Sequence, residues 1–236
     1  MIDFHSHIIP NIDDGSKSME RTLEIIEEAK EAGFTDIIST SHYIEGSYEC
    51  TEEERSGLLD EIRTKVNGIE LHLGSEVFFS ENMVELLNAK KASTINNSRY
   101  VLFEFPLNNK PMYEDEIVYA LRKNNFIPII AHPERYSYVQ ENIDFVRELA
   151  DIGALFQANY GSIVGIYGSK AKKTVKKLLK EDLITFLGSD VHRTNQVYPF
   201  VPKAIKKIKK IISDEKFEEL SEINPRKVLN NEKIEK

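Results

Sequence analysis

Short apolar runs and longer charged stretches take turns along this chain, and the alternation predicts its elements. Residues 1–7, MIDFHSH, read as a buried strand, on which side chains two apart share a face. Ser16 or Ser18 is placed to cap a helix reaching to about Gly33, with Leu23, Ile25, Ile26 and Ala29 on its buried side and the glycine as its stop. Residues 36–40 (DIIST) form the second predicted strand, 51–66 a polar helix whose acidic first turn suits the helix dipole, and 69–77 a third strand. A short helix at 81–89 precedes a strand at 99–105 (RYVLFEF), a helix at 113–124, a strand at 126–131 (FIPIIA) and a helix at 143–151 closed by Gly153. Strands at 154–158 and 184–187 flank a lysine-rich helix. From Val201 the chain reads as helical, with a break at Asn224-Pro225 and a frayed tail over 230–236. Seven strand-helix alternations without a linker or repeat predict one domain spanning 1–236. They imply parallel strands with right-handed crossovers, and the expected architecture is α/β, a distorted seven-stranded parallel (β/α)7 TIM-like barrel.

Composition narrows the class. The 236 residues are 41% hydrophobic and 30% charged, as in an ordinary soluble domain. No apolar run approaches the ~20 residues of a membrane span, and His5 and His7 interrupt what would have to be a signal peptide, so a cytoplasmic protein without membrane insertion is expected. Cys50, the single cysteine, rules out an internal disulfide. A net charge of -8 argues against nucleic acid as the main partner. The lysines crowd into 170–180 and 203–210. They read as solvated faces over an apolar stripe such as Ile205, Ile208, Ile211 and Ile212, with a docking surface for an acidic partner as the alternative.

The reactive side chains fall where a parallel barrel would gather them. His5 and His7 end the first strand, with Asp13-Asp14-Gly15 in the turn beyond. His42 follows the second strand, Glu76 ends the third, Glu104 sits late in the fourth, His132 follows the fifth, and Asp190 and His192 follow the seventh. C-terminal strand ends converge on one face, where active sites are built. His72 lies four residues before Glu76 on the same strand, roughly 13 Å away, and is expected to be structural. The set His5, His7, Asp14, His42, Glu76, Glu104, His132, Asp190 and His192 is too large for one ion, since a catalytic zinc takes about three protein ligands plus water. Two or three divalent ions are expected: one on His5, His7, Glu76 and Asp190, a second on Glu76, Glu104 and His132, a third on Asp14, His42 and His192. Glu76 would bridge. Imidazole and carboxylate without thiolate suit manganese, iron or zinc.

These residues also carry a resemblance. Asp3-x-His5-x-His7, Pro10 with Asp13-Asp14-Gly15, Thr40-Ser41-His42, Gly74-x-Glu76, His132-Pro133-Glu134-Arg135 and Ser189-Asp190-x-His192 resemble the polymerase and histidinol phosphatase (PHP) superfamily. Within it, the set is most similar to the bacterial manganese-dependent protein-tyrosine phosphatases of capsular and exopolysaccharide loci, over roughly residues 1–230. The resemblance implies a distorted seven-stranded barrel, three metal ions with manganese first among them, and hydrolysis of phosphotyrosine on a membrane-associated tyrosine kinase that regulates polysaccharide export. It also implies a second arginine several residues beyond Ser189-Asp190-x-His192. Position 197 is valine here, and Arg193 is the nearby arginine.

The expected chemistry is attack on phosphorus by a hydroxide bridging two ions, since coordination lowers the pKa of water to about 7. Arg135, three residues past His132, is placed to clasp the phosphoryl oxygens with its planar fork, and Arg193 is the candidate second clasp. His42 or a metal-bound water is the candidate acid for the leaving phenolate. A cysteine-based route is excluded, because Cys50 lies among Glu49, Glu52, Glu53 and Glu54, which raise a thiol pKa and repel phosphate. The tyrosines of 43–48, 107–113 and 160–167 form a candidate rim for a protein substrate. A small-molecule phosphomonoesterase such as a histidinol phosphatase is the alternative, and a nuclease or proofreading domain a weaker one.

Overall fold

A computed structural model describes residues 1–234. Nine strand segments alternate with helices: β1 (Ile2–Ser6), α1 (Met19–Glu31), β2 (Asp36–Ser39), β3 (His42–Tyr43), α2 (Glu52–Arg63), β4 (Glu70–Leu73), β5 (Glu76–Phe78), α3 (Met83–Asn88), β6 (Tyr100–Glu104), α4 (Glu114–Lys123), β7 (Ile127–Ala131), α5 (Ser137–Glu141), α6 (Asp144–Asp151), β8 (Leu155–Asn159), α7 (Tyr160–Val164), α8 (Gly168–Lys180), β9 (Phe186–Gly188), α9 (Val201–Ile208), α10 (Asp214–Glu218) and α11 (Asn224–Leu229). All strand pairs are parallel, in two sheets ordered β1-β2-β4 and β3-β5-β6-β7-β8-β9.

The expected seven strands become nine because two of them break. The run 36–40 stops at Ser39 and resumes as β3, and the run 69–77 stops at Leu73 and resumes as β5. Both breaks lie at the same level and the register survives them: Asp36 pairs with Glu70 and Ser39 with Leu73 before the break, His42 with Glu76 after it. Gly74 sits in the second break because a Cβ there would come 2.7 Å from Ile95 Cδ1. No β9–β1 ladder is found among the described residues; just beyond β9 the chain joins β1 through the bridge Ser6–Val191 and the bonds Asp190 N to His5 O (2.7 Å) and His7 N to Val191 O (3.0 Å). The expected α/β fold of parallel strands is thus present, its ladders divided between two sheets.

Alternate residues of the strands form an interior column that changes character along its length. At the lower end Ile2, Phe4, Ile38, Tyr100, Leu102, Ile129, Leu155 and Phe186 pack into an apolar plug, with Phe4 stacked on Phe186 at 4.1 Å between ring centroids. Two to four residues further on, the same columns present Glu104 on β6, Gln157 and Asn159 on β8, and Asp190 beyond β9. On β1 strict alternation would set Phe4 and His5 on opposite faces. An irregularity in the β1–β2 register between Asp3 and Ser6 inserts an extra residue, so that Phe4 joins the plug and His5 and His7 still turn toward the polar end.

The helices follow their predicted spans closely. Ser18, not Ser16, caps α1, accepting from Arg21 N at 3.2 Å. Thr22 takes a buried place alongside Ile25, Ile26 and Ala29, donating to Ile8 O at 2.6 Å, while Leu23 is half-buried. Helix α8 buries Ala171, Val175, Leu178 and Leu179 and turns its lysines outward. The expected break at Asn224-Pro225 is absent. A π turn over Glu219–Ile223 leads straight into α11, with Pro225 in its first turn, where a missing N–H costs little; the interruption falls earlier, between α9 and α10. Within the stretch expected to fray, Asn231 Oδ1 accepts from Arg99 N (2.9 Å), Tyr100 OH donates to Glu232 O (2.7 Å), and Ile234 N donates to Tyr100 Oη (3.2 Å). Residues 235–236 lie outside the described part. Among the described residues no helix is long and apolar enough to cross a membrane.

Candidate metal centre

All nine predicted ligands come together at the upper end of the column. Four overlapping groups have donor atoms within 4.8 Å of one another: His7, Asp14, His42 and His192; His5, His7 and Asp190; His5, Glu76 and His132; and His42, Glu76 and Glu104. The predicted partition differs in detail. His5 also faces Glu76 and His132, His7 also joins the outer group, and His42 contributes to two groups, its Nε2 lying 3.5 Å from Asp14 Oδ1 and its Nδ1 3.1 Å from Glu76 Oε2. Glu76 stands at the centre, as the bridging role requires. Its Oε1 is 2.9 Å from His132 Nε2, and its Oε2 is 3.1, 3.3 and 3.1 Å from His5 Nε2, His7 Nε2 and His42 Nδ1.

Hydrogen bonds on the far side of the rings decide which nitrogens are bare. Gln157 Oε1 takes the proton on His5 Nδ1 (2.8 Å), and Asp13 Oδ2 takes the one on His7 Nδ1 (2.8 Å). The two Nε2 lone pairs are then left facing each other at 3.1 Å, an arrangement that repels unless a cation lies nearby. Glu76 Oε2, His42 Nδ1 and His132 Nδ1 are buried with no hydrogen-bond partner among the described residues. Bare imidazoles, orphaned carboxylate oxygens and no thiolate fit divalent ions well.

The charges argue the same way. Burial opposes protonation of His7, but Asp13 and Glu76 overcome it and raise its pKa well above the usual value. Glu104 is pushed well up by burial and then by the carboxylates of Glu76 and Asp190. Both shifts describe a pocket that calls for positive charge. Burial lowers His42 to about 4, which favours the neutral ring that metal ligation requires. Backbone strain marks the same place: His132 (φ 33°) and Asp190 (φ 55°) are non-glycine residues in the left-handed region, His132 immediately before a proline. Glycines admit the rings. A Cβ on Gly188 would come 2.6 Å from His5 Cβ, and one on Gly15 would come 2.5 Å from His7 Cβ.

Arg135 donates to Asp190 Oδ2 at 2.6 Å, its guanidinium 4.6 Å from the centroid of the Tyr167 ring, and so stands at the edge of the ligand cluster. Arg193 does not join it. Its side chain is exposed and lines a cavity beside His192, with no guanidinium hydrogen bond or ion pair among the described residues. Of the rim tyrosines, Tyr43 and Tyr160 are buried in the core, whereas Tyr48 stacks on His42 (6.1 Å, 14°) and Tyr113 is exposed. The Cys50 thiol is pushed up, first by burial, and Arg55 binds the Cys50 carbonyl, which leaves no activated thiolate.

Two contributors are absent from the motif reading. Gln157 and Asn159 on β8 are wholly buried, and Asn159 Nδ2 donates to Asp190 Oδ2 at 2.7 Å. Their alternation in LFQAN, polar residues two apart in a buried strand, is the signal that would have found them.

The family described as capsular polysaccharide synthesis, CpsB/CapC, matches residues 1–230. The chain belongs to this family. CapC of Staphylococcus aureus is 35% identical over all of this chain and 94% of its own length. The tyrosine-protein phosphatase CpsB of Streptococcus pneumoniae is 33% identical over 99% of this chain and 100% of its own length. A crystal structure from work on YwqE of Bacillus subtilis and CpsB of S. pneumoniae, described as metal-dependent tyrosine phosphatases, superimposes with a TM-score of 0.93 at 28% identity, covering 100% of this chain and 96% of that one. The CpsB/CapC membership accords with the PHP resemblance drawn from the motifs.

Proposed function

We propose that this chain is a metal-dependent protein-tyrosine phosphatase that hydrolyses phosphotyrosine on a protein, its substrate a membrane-associated tyrosine kinase of capsular or exopolysaccharide synthesis, and that it works in the cytoplasm. The observation that carries the reading is the convergence of nine nitrogen and oxygen ligands around Glu76, with Arg135 at their edge. His5, His7, Glu76, Glu104, His132 and Asp190 would hold the inner ions, and Asp14, His42 and His192 the outer one. The closed seven-stave barrel is our reading of how the two broken strands place them.

Manganese is the ion we assign, and bound ions supply Lewis-acid polarisation of the phosphoryl group and water activated at neutral pH. The chain's own residues do the rest. Gln157 and Asp13 fix the His5 and His7 tautomers, so that both rings present Nε2 to the nest. Asn159 and Arg135 hold Asp190 Oδ2, leaving Oδ1 toward the histidines. When a phosphoryl group arrives, Arg135 can turn one arm of its guanidinium onto the equatorial oxygens, where negative charge is concentrated in the transition state. The Tyr167 face under that planar guanidinium helps to orient it.

The test is kcat/KM on a phosphotyrosine peptide and on histidinol phosphate, each with manganese and with chelator. Manganese-dependent preference for the peptide is the expected result. Preference for histidinol phosphate would keep the metal centre and overturn the protein substrate.

A further inference from the structure

Beside the outer ligand group lies a cavity of about 250 Å³ whose walls are unlike the nest it adjoins. The ligand cluster is rich in carboxylates, and the chain as a whole carries a net charge of -8. The cavity has none: Lys17, Arg21 and Arg193 line it, with Gly15, Ile25 and His192 among the remaining walls. His192 is shared with the metal centre, its Nε2 3.3 Å from Asp14 Oδ1, and Asp14 is the most exposed of the nine ligands at 54%. The cavity therefore adjoins, through His192, the most exposed part of the ligand cluster.

None of the three cations is consumed by a strong partner. Arg193 has no guanidinium bond among the described residues. Lys17 Nζ donates to the Asp13 carbonyl (2.8 Å), which leaves its charge uncompensated. Arg21 pairs with Glu24 at 2.6 Å, but both side chains are exposed and three residues apart on α1, a kind of pair that contributes little and exchanges readily.

Resting on the phosphatase reading above, we propose that this cavity is a subsite for an acidic side chain of the protein substrate, a glutamate or aspartate close in sequence to the phosphotyrosine. A carboxylate tethered to a phosphotyrosine already on the nest reaches the cavity at a high effective concentration. Free phosphate lacks that advantage. The function of Arg193 follows: it selects the substrate and does not clasp the transferred phosphoryl group.

The test measures binding to the metal-loaded protein of fluorescent peptides in which a phosphonate replaces the tyrosine phosphate, so that affinity is read without turnover. Peptides carry two glutamates before the phosphonate residue, two after it, or glutamines in both places. The subsite predicts about a fivefold to tenfold preference for one glutamate peptide over the glutamine peptide, weakening with added salt. Arg21→Gln and Arg193→Gln should each lower that ratio, and Arg21→Glu should turn it toward a peptide with lysines in the same places. A merely structural role for Arg21 would not produce that reversal. Equal binding of all peptides overturns the subsite, as does a preference that Arg21→Gln and Arg193→Gln leave intact. Inorganic phosphate binding that these variants weaken, without change in peptide preference, would assign the cavity to phosphate instead. Turnover of a phosphotyrosine peptide lacking acidic residues is measured separately and tests the phosphatase reading alone.

Discussion

The same two broken strands carry a histidine and a carboxylate at each end, and the two ends treat them differently. At the lower end Asp36 begins β2 and His72 sits on β4. Asp36 Oδ1 accepts from His72 Nε2 (2.9 Å) and Arg226 Nη1 (2.8 Å), and its Oδ2 from Arg226 Nη2 (2.9 Å) and Thr35 Oγ1 (2.8 Å). Every lone pair there has a proton to accept. At the upper end His42 opens β3 and Glu76 opens β5, and Glu76 Oε2 and His42 Nδ1, 3.1 Å apart, are buried without a hydrogen bond among the described residues. His72 and Glu76 are two positions either side of Gly74, identical in sequence type to any histidine-carboxylate pair. A structural cluster satisfies itself, whereas a ligand cluster keeps donor atoms bare and holds them by strain and outer hydrogen bonds. Strand direction agrees, since the C-terminal ends of parallel strands carry the chemistry and the N-terminal ends the stability.

The contrast breaks most sharply at the upper end. Glu76→Ala or His132→Ala is expected to reduce phosphotyrosine-peptide turnover to background and to lower the bound metal per chain, with the far-ultraviolet circular dichroism unchanged. Retained turnover at full metal content would remove these residues from the centre. Arg135→Ala should lower kcat on the order of a hundredfold, the loss expected when a preorganised charge-stabilising donor goes. A change in KM alone would reassign it to ground-state binding.

Metal removal compares the two ends within one molecule. Saturating manganese at about a hundred times its Kd should stabilise the wild type by ~2.7 kcal/mol over the chelated protein in urea denaturation, and Glu76→Ala should lose most of that increment. An undiminished increment in Glu76→Ala would place the stabilising ion elsewhere.

The smallest effect belongs to the lower end. Arg226→Ala should cost about 1–2 kcal/mol of stability and leave kcat at the wild-type value. Burial works to raise the Asp36 pKa, but the bonds from His72 and Arg226 outweigh it and hold it below the usual carboxylate range. A depressed carboxylate stabilises the fold above its unfolded pKa of about 3.9, and that contribution is lost as pH falls through the depressed folded value. Asp36→Asn should therefore flatten the decline of the urea midpoint below about pH 4. An unchanged acid limb would mean that Asp36 does not govern it.

Much of the centre was legible in the chain itself. Ligand types at the ends of apolar runs name all nine candidates, because a run of four or five apolar residues predicts a strand and strand direction predicts where its end lies. His72 was separable from Glu76 by strand rise alone. The longer helices up to α8 were readable from caps and apolar stripes, whereas the five-residue α5 and α7 and the interruption between α9 and α10 were not. Other features depend on distant segments meeting. The extra residue between Asp3 and Ser6, which turns both Phe4 and His5 inward, is a matter of pairing with β2 and has no local signature. The break at Gly74 lies where Ile95 approaches the strand. The division of His42 between two ligand groups, the hold of Gln157 and Asn159 on His5 and Asp190, and the turning of Arg193 away from Arg135 toward Lys17 and Arg21 are likewise tertiary facts. Residue type and periodicity determined which side chains reach the mouth of the fold. Which nitrogen is bare, and which arginine faces which carboxylate, was decided only by packing, because those choices turn on ångström distances between residues far apart in the chain.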